Sequence, residues 1–242
     1  MPKNLSRAIK IEFNFIKQSK VNLILYLAIP FLFAFLFGLF GSINVSWKPE
    51  TTYFILYAPQ VLTLFVLFIS TQLIIMRIVG ERTPYGTLDR DLLSLSKESI
   101  FFGKFIIYCI ISLIQAYIVF LISFFVFGLP VNPILFLLIL TLTSFFGVAL
   151  GLTISTISSN KEQASQIAPF VILILFIFNN SIISLESLKN LPLATVTDSL
   201  TRMINFNHGF YELKTNIFFS ILWIFIVLTI GYTKFKLESL RR

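Results

Sequence analysis

The chain is poor in the residues from which active sites are usually built. Of its 242 residues, one is cysteine and one is histidine. A single thiol, Cys109, excludes an intrachain disulfide and a cysteine metal cluster. A single imidazole, His208, excludes the two- or three-histidine sets of common metal sites. With Asn205, Asn207 and Gly209 around it, His208 reads as a loop or interface residue, since no partner set for catalysis accompanies it. Charge is also scarce, at 12% of residues, roughly half the soluble-domain average. No charged residue falls deep within the long apolar runs, which argues against ion-coupled transport, where such a group carries the proton or organises the substrate. The runs also lack the paired glutamates or several histidines of an intramembrane protease. A phosphate-binding loop is missing too. Gly103-Lys104 has neither the upstream glycine nor the following Ser/Thr of G-x-x-x-x-G-K-[ST]. Energy for any uphill movement must then come from another polypeptide.

What the chain does have is apolar surface, at 57% of residues. Six runs are long enough to be read as membrane spans, a crossing taking roughly 20 residues as a helix: Val21–Phe40, Tyr53–Met76, Phe101–Phe127, Ile134–Ile157, Ile167–Ile183 and Ile217–Thr233. The last two are the shortest. Unbroken apolarity without alternation excludes a β-barrel, and bare backbone polar groups in lipid then require helices. The expected fold is an all-α integral membrane protein forming one domain over residues 1–242. With the N-terminus inside, only Lys48, Lys189, Arg202 and Lys214 of the 19 Lys and Arg residues fall outside. That asymmetry predicts cytoplasmic termini and an even number of spans in the plasma membrane. It also accounts for the net charge of +8 as a positive inner surface facing anionic headgroups, leaving no nucleic-acid reading. The first run is longer than a signal-peptide core and no A-x-A site follows it, so it is expected to stay.

Amphipathic segments flank the spans. Leu5, Ile9, Phe13 and Ile16 recur at helical spacing opposite Lys3, Arg7, Lys10, Asn14 and Lys17, which predicts a basic helix in the inner interface, as an anchor or as a surface that also touches a partner. Between the second and third runs, Pro84 and Gly86 break the chain. Leu88, Leu92 and Leu95 then share one face of a short helix, and Ser96 is placed to cap the third span. Outside, Gly128–Pro133 reads as a tight turn and Ser42–Thr52 as a short polar loop. After Pro192, Leu193, Val196, Leu200 and Met203 predict a helix on or in the outer face, with Asp198 and Arg202 as an i,i+4 pair. The spans carry amides at Gln60, Gln72, Gln115 and Asn179-Asn180. These suit hydrogen bonding between helices or the polar lining of a translocation route.

The segment Glu81–Lys104 resembles the cytosolic loop after the second span in ABC-2-type transporter permeases, the membrane subunits of many ABC exporters. Members commonly show E-R-x-x-G-T-L-x-R-L-L and then G-K at the third span. The matches here are Glu81, Arg82, Gly86, Thr87, Leu88, Arg90, Leu92, Leu93, Gly103 and Lys104. Pro84-Tyr85 adds one residue to the commonest spacing, and Ser94-Leu95-Ser96 replaces a proline that often follows the leucine pair. The layout agrees as well: a basic amphipathic start, six spans, both ends inside and an amphipathic outer segment before the last span.

The resemblance implies a permease moving an amphipathic or hydrophobic cargo (drug, lipid, glycolipid or peptide) out of the cytoplasm. It implies no enzyme activity and no cofactor on this chain. ATP and Mg would bind two copies of a separate cytosolic ATPase, and a second permease copy would complete a homodimer among membrane lipids. Thr87–Ser96 would act as the coupling helix, with Leu88, Leu92 and Leu95 as anchors and Glu81, Arg82, Asp89 and Arg90 setting register by charge. Gly86 and Thr87 belong to the same coupling motif. The family's route runs near the first, second and fifth spans, making Gln60, Gln72, Asn179 and Asn180 its candidate polar residues. Two other readings remain at this point: a membrane enzyme or assembly factor acting on lipid at the outer face through His208 and Asp198–Arg202, and a passive channel. Neither needs the Glu81–Lys104 pattern.

Overall fold

Apolar runs without alternation hide their backbone polar groups by winding into helices, and the computed structural model is built that way. It describes residues 4–18, 20–46, 48–81, 94–178, 190–206 and 208–238. The elements are α1 (Leu5–Gln18), α2 (Lys20–Gly41), a hairpin of β1 (Asn44–Val45) and β2 (Lys48–Thr52), α3 (Tyr53–Glu81), α4 (Lys97–Leu121), α5 (Pro133–Ile157), α6 (Lys161–Ile177), α7 (Pro192–Phe206) and α8 (Phe210–Glu238). A π-helical turn, Ile122–Val126, continues α4. Among the described residues, five helices, α2, α3, α4, α5 and α8, are long and apolar enough to cross a membrane. The fifth expected span corresponds to α6, a shorter apolar helix that begins earlier than anticipated. Residues 179–183 of that expected span lie outside the described residues.

Helix α5 is the hub, packing on α3, α4, α6, α7 and α8. Two glycines let it approach α3. A Cβ on Gly147 would stand 2.8 Å from the Ser70 Cβ and 2.9 Å from the Leu67 carbonyl oxygen. A Cβ on Gly151 would stand 2.3 Å from the Ile74 Cγ2 and 2.6 Å from the Thr71 carbonyl oxygen. The small-x-x-x-small spacing used between helices in lipid is thus filled here within the chain. Since residue numbers rise together along this contact, α3 and α5 run parallel. Glu81 and Ile157 therefore end at the same side of the bundle. The Thr71 hydroxyl adds a polar tie, lying 2.8 Å from the Leu67 carbonyl oxygen and 3.1 Å from that of Gly147.

Local signals end the helices where polar side chains can satisfy the free backbone groups. Ser96 caps α4 by accepting the Ser99 N–H, as its position predicts. Asn132 caps α5 ahead of Pro133 at the first helical position. Gly128, at φ +62°, turns the chain out of the π turn. The Ser42–Thr52 loop is more ordered than the sequence suggests. It is an antiparallel hairpin with Asn44 opposite Thr52, and Val45 is buried. The helix expected after Pro192, α7, is present, with the Asp198–Arg202 pair at 2.8 Å. It packs into the bundle: Leu193, Val196, Leu200 and Met203 all belong to the main core.

Helix α1 departs from its two-faced reading. Its buried residues are Ala8 and Glu12, whereas Phe13, expected on the apolar side, is 57% exposed to the surroundings of the chain. The helix has three sectors. Ala8 and Glu12 face the protein, Phe13 lies outward beside Ile9 and Ile16, and Arg7, Asn14 and Lys17 are exposed. A helix that docks one sector on its own bundle and leaves an apolar and a polar sector outward meets three environments, and a two-colour wheel separates only two.

Candidate functional site

Four charged side chains meet at the end of the bundle where α3 stops. Arg77 and Glu81 lie one turn apart on α3, and the Arg77 Nη2 is 2.6 Å from the Glu81 Oε1. The Lys104 Nζ, two turns into α4, is 2.7 Å from the Glu81 Oε2. The same ammonium donates to the Glu12 Oε1 of α1. The Arg77 Nε is 3.6 Å from the other Glu12 oxygen, and its guanidinium carbon sits 3.2 Å from the centre of the Phe15 ring, in cation–π range. Glu12, Glu81 and Lys104 are each at most 3% exposed. Two cations balance two anions, as burial demands, because an unpaired ion out of water costs several kcal/mol. Gly103 completes the joint: a Cβ there would stand 2.9 Å from the Ala8 Cβ, so glycine brings α1 close enough for Glu12 to reach Lys104.

This arrangement revises the picture of uncharged spans. Helix α3 continues past the expected boundary at Met76, and its last turns carry Arg77 and Glu81 into the interior. It also places one of the candidate coupling residues. The Glu81 carboxylate is spent inside the chain, between α3, α4 and α1. Leu95, read as an anchor for a partner, is likewise buried in the chain's own second apolar cluster with Ile100 and Phe101. Arg82, Gly86, Thr87, Leu88, Asp89, Arg90 and Leu92 lie outside the described residues. Glu12 and Arg77 were missed as site residues. The available signal was that Glu12 is the sole acidic residue before Glu50, set in a basic helix.

A second feature lies along the membrane-spanning surface. Phe33 of α2, Val61, Leu64, Phe65 and Phe68 of α3, and Pro169, Ile172, Leu173 and Phe176 of α6 line a cleft of about 270 Å³. No charged or hydrogen-bonding side chain is among them. A smaller cleft of about 160 Å³ lies between α2, α3 and α4, lined by Tyr26, Ile29, Phe68, Ile69, Gln72, Leu73 and Gln115. The structure explains one amide there. Pro30 has no N–H for the carbonyl of Tyr26, four residues earlier, and Gln115 Nε2 donates to that oxygen at 2.8 Å. Gln72 lines the smaller cleft, with no such task among the described residues. The Gln60 Oε1 is buried with no hydrogen-bond partner among the described residues. Asn179 and Asn180 lie outside the described residues.

At the opposite end, hydroxyl groups knit α7 to its neighbours. The Thr63 and Thr197 hydroxyls are 3.4 Å apart, and those of Thr195 and Ser220 are 2.9 Å apart. Asp198 accepts from Asn216 at 2.9 Å besides pairing with Arg202. These residues hold α7 against α3 and α8, and His208 contacts the Phe206 ring. Among the described residues, no group of His, Cys, Asp or Glu is arranged to hold a metal ion.

The apolar bundle and the charged joint at one end therefore accompany a chain that also matches a known family. The profile of a family described as ABC-2 family transporter protein matches residues 46–233, from the hairpin through nearly all of α8. No curated relative matches the chain. The match spans most of the sequence, including α3, α4 and α6 among the helices that carry the clefts and the joint, and the chain belongs to the ABC-2 family of transporter proteins as an ABC-2-type permease.

Proposed function

We propose that this chain is the permease half of an ATP-driven exporter for an amphipathic or hydrophobic cargo. Six spans, counting α6 as the fifth, place both termini in the cytoplasm of a plasma-membrane protein. Two permease copies then work with two copies of a separate ATPase, where ATP and Mg are held. The observation that carries this reading is the 270 Å³ cleft built from α2, α3 and α6. These are the first, second and fifth spans, and their wall of aromatic and aliphatic side chains favours an apolar cargo body. A charged solute would meet no partner along that wall and would bear its full desolvation cost.

Residues 82–93 then supply the partner contact. The segment starts immediately after Glu81 and returns through Ser96 to α4, so both its stems are anchored in the membrane domain. Leu88 and Leu92 supply apolar anchors, while Arg82, Asp89 and Arg90 set register by charge. The test is co-purification of the tagged permease with a candidate ABC ATPase and measurement of ATPase activity with and without the permease. Leu92→Asp is expected to leave insertion intact and to abolish both recruitment and stimulation, because an unpaired charge in a docking groove costs several kcal/mol. Wild-type recruitment and stimulation by the variant would reject residues 82–93 as the docking element.

A further inference from the structure

We propose that the smaller cleft between α2, α3 and α4 is a binding site for a neutral single-chain amphiphile, an alkyl chain headed by a hydroxyl or an amide N–H that donates to the Gln115 Oε1. The site shares only Phe68 with the larger cleft, and the inference does not depend on the exporter reading.

A proline sets the site up. Pro30 leaves the carbonyl of Tyr26 without its helical donor, and a carbonyl only accepts. The amide nitrogen of Gln115 must therefore face it, at 2.8 Å. That fixes which end of the amide is left over. The Oε1 is buried with no hydrogen-bond partner among the described residues, on a residue 2% exposed. On one side Gln115 borders a seam with Pro30, Phe65, Val66 and Val119 that has no room for a water. A donor therefore reaches the Oε1 through the cleft, which Gln115 also lines.

The wall of the cleft decides what carries the donor. Ile29, Phe68, Ile69 and Leu73 give aliphatic and aromatic surface, and Gln72 brings a second amide. Its NH2 can donate to the oxygen of a hydroxyl while Gln115 accepts from the same group. No charged side chain is among the lining residues, so an ionised head would bear its desolvation cost unpaired. A neutral donor in hydrocarbon finds few other partners, and the low dielectric strengthens the bond it makes. The cleft, at about 160 Å³, is close in size to an apolar cavity of about 150 Å³ that holds one benzene ring. It takes a short stretch of chain, not a whole lipid. Ile29 and Phe68 are exposed to the surroundings of the chain, so the rest of the amphiphile extends outward past them.

The test uses the full chain in nanodiscs and two photoreactive probes: decanol carrying a diazirine on its chain, and the methyl ether of the same molecule, which has no donor. The alcohol is expected to label Ile29, Phe68, Ile69 or Leu73 at concentrations roughly fivefold lower than the ether, the fold-change of one net hydrogen bond. Gln115→Leu combined with Pro30→Ala removes the acceptor while giving the Tyr26 carbonyl a backbone donor, and should bring the alcohol to the level of the ether. Ile29→Phe narrows the cleft without touching either amide and should weaken labelling by both probes. Thermal unfolding checks that the variants fold, and Ile29→Phe decides alone if the double variant does not. The head can belong to a resident lipid or to a cargo. A neutral lipid that co-purifies with the parent chain and is missing from the double variant identifies the first. Alcohol labelling that falls when ATPase and ATP are added identifies the second, and both results support the site. Equal labelling by the two probes in the parent chain overturns the inference, as a water on the Oε1 would produce. Alcohol labelling that survives the substitutions overturns it too, as does an absence of label at these four residues, the result if a second copy covers the mouth.

Discussion

Replacing Glu81 with leucine should destabilise the protein by about 3–5 kcal/mol, the range for breaking a buried ion pair by removing one partner. Glu81 is 3% exposed, so water cannot substitute for it. Its two oxygens lie 2.6 Å from Arg77 and 2.7 Å from Lys104. At an effective dielectric of about 20, one ion pair at 4 Å is worth about 4 kcal/mol. Glu81 gains from two cations and loses to the nearby Glu12, leaving net attraction on the order of one such pair against its desolvation. With Glu81→Leu, Arg77 and Lys104 share the single charge of Glu12, and the joint carries an uncompensated positive charge. Adding Arg77→Leu removes that excess and leaves Glu12 with Lys104. The double variant should therefore recover much of the lost stability, giving an interaction energy of roughly 1–3 kcal/mol in the cycle. Reversible unfolding in mixed micelles measures all four corners. A Glu81→Leu cost below about 1 kcal/mol, the scale of an exposed pair, would refute the reasoning. So would a double variant as unstable as the sum of the single changes.

Gly151→Ala should cost about 1–3 kcal/mol or more through overpacking, because its Cβ would stand 2.6 Å from a carbonyl oxygen of α3; yield of folded protein in detergent checks it. Gly128→Ala is the contrast, with open space around it and φ at +62°, and should cost about 1–2 kcal/mol from backbone strain alone. Gln115→Leu should cost about 1 kcal/mol by stranding the Tyr26 carbonyl in the membrane, and Pro30→Ala should cancel much of that loss by restoring the backbone N–H; thermal unfolding of the pair checks it. A cysteine at Ile43 should react with an impermeant thiol reagent from outside intact cells and one at Ser159 should not, as the distribution of Lys and Arg implies. The reverse pattern would overturn the proposed orientation.

Much of the helical layout was legible because lipid leaves a chain few choices. Continuous apolarity had to be helical, and local chemistry placed Ser96 as a cap and Pro192 at the start of α7. What the sequence concealed was depth. A helix does not stop where apolarity stops, and α3 carries Arg77 and Glu81 onward because Lys104 and Glu12 are there to receive them. The glycine pair Gly147 and Gly151, spaced for close packing, went unread, and the sequence alone cannot say whether such a pair meets a second copy or its own chain. Here α3 takes it. The hairpin after α2 was illegible for a different reason. Its pairing is brief, and the burial of Val45 depends on tertiary neighbours more than on any local pattern.

The candidate site was half legible for the same physical reason that made α1 misleading. Family resemblance drew attention to Glu81, Gly103 and Lys104 as a run of matched letters, with Glu81 assigned to a partner and Gly103-Lys104 left without an individual role. The structure gives three of those letters intramolecular work: Gly103 admits α1, Lys104 bridges two carboxylates and Glu81 closes the joint. The missing members were Arg77, just past the expected end of the second span, and Glu12, which a hydrophobic pattern discounts because it interrupts the sector facing the protein. A buried acidic residue in a basic amphipathic helix is costly unless something inside receives it. The coincidence of that residue with an arginine and a lysine at the adjoining ends of two spans is therefore the pattern to seek. It locates a joint through pairwise charge compensation among segments that are distant in sequence, which periodicity within any one segment cannot reveal.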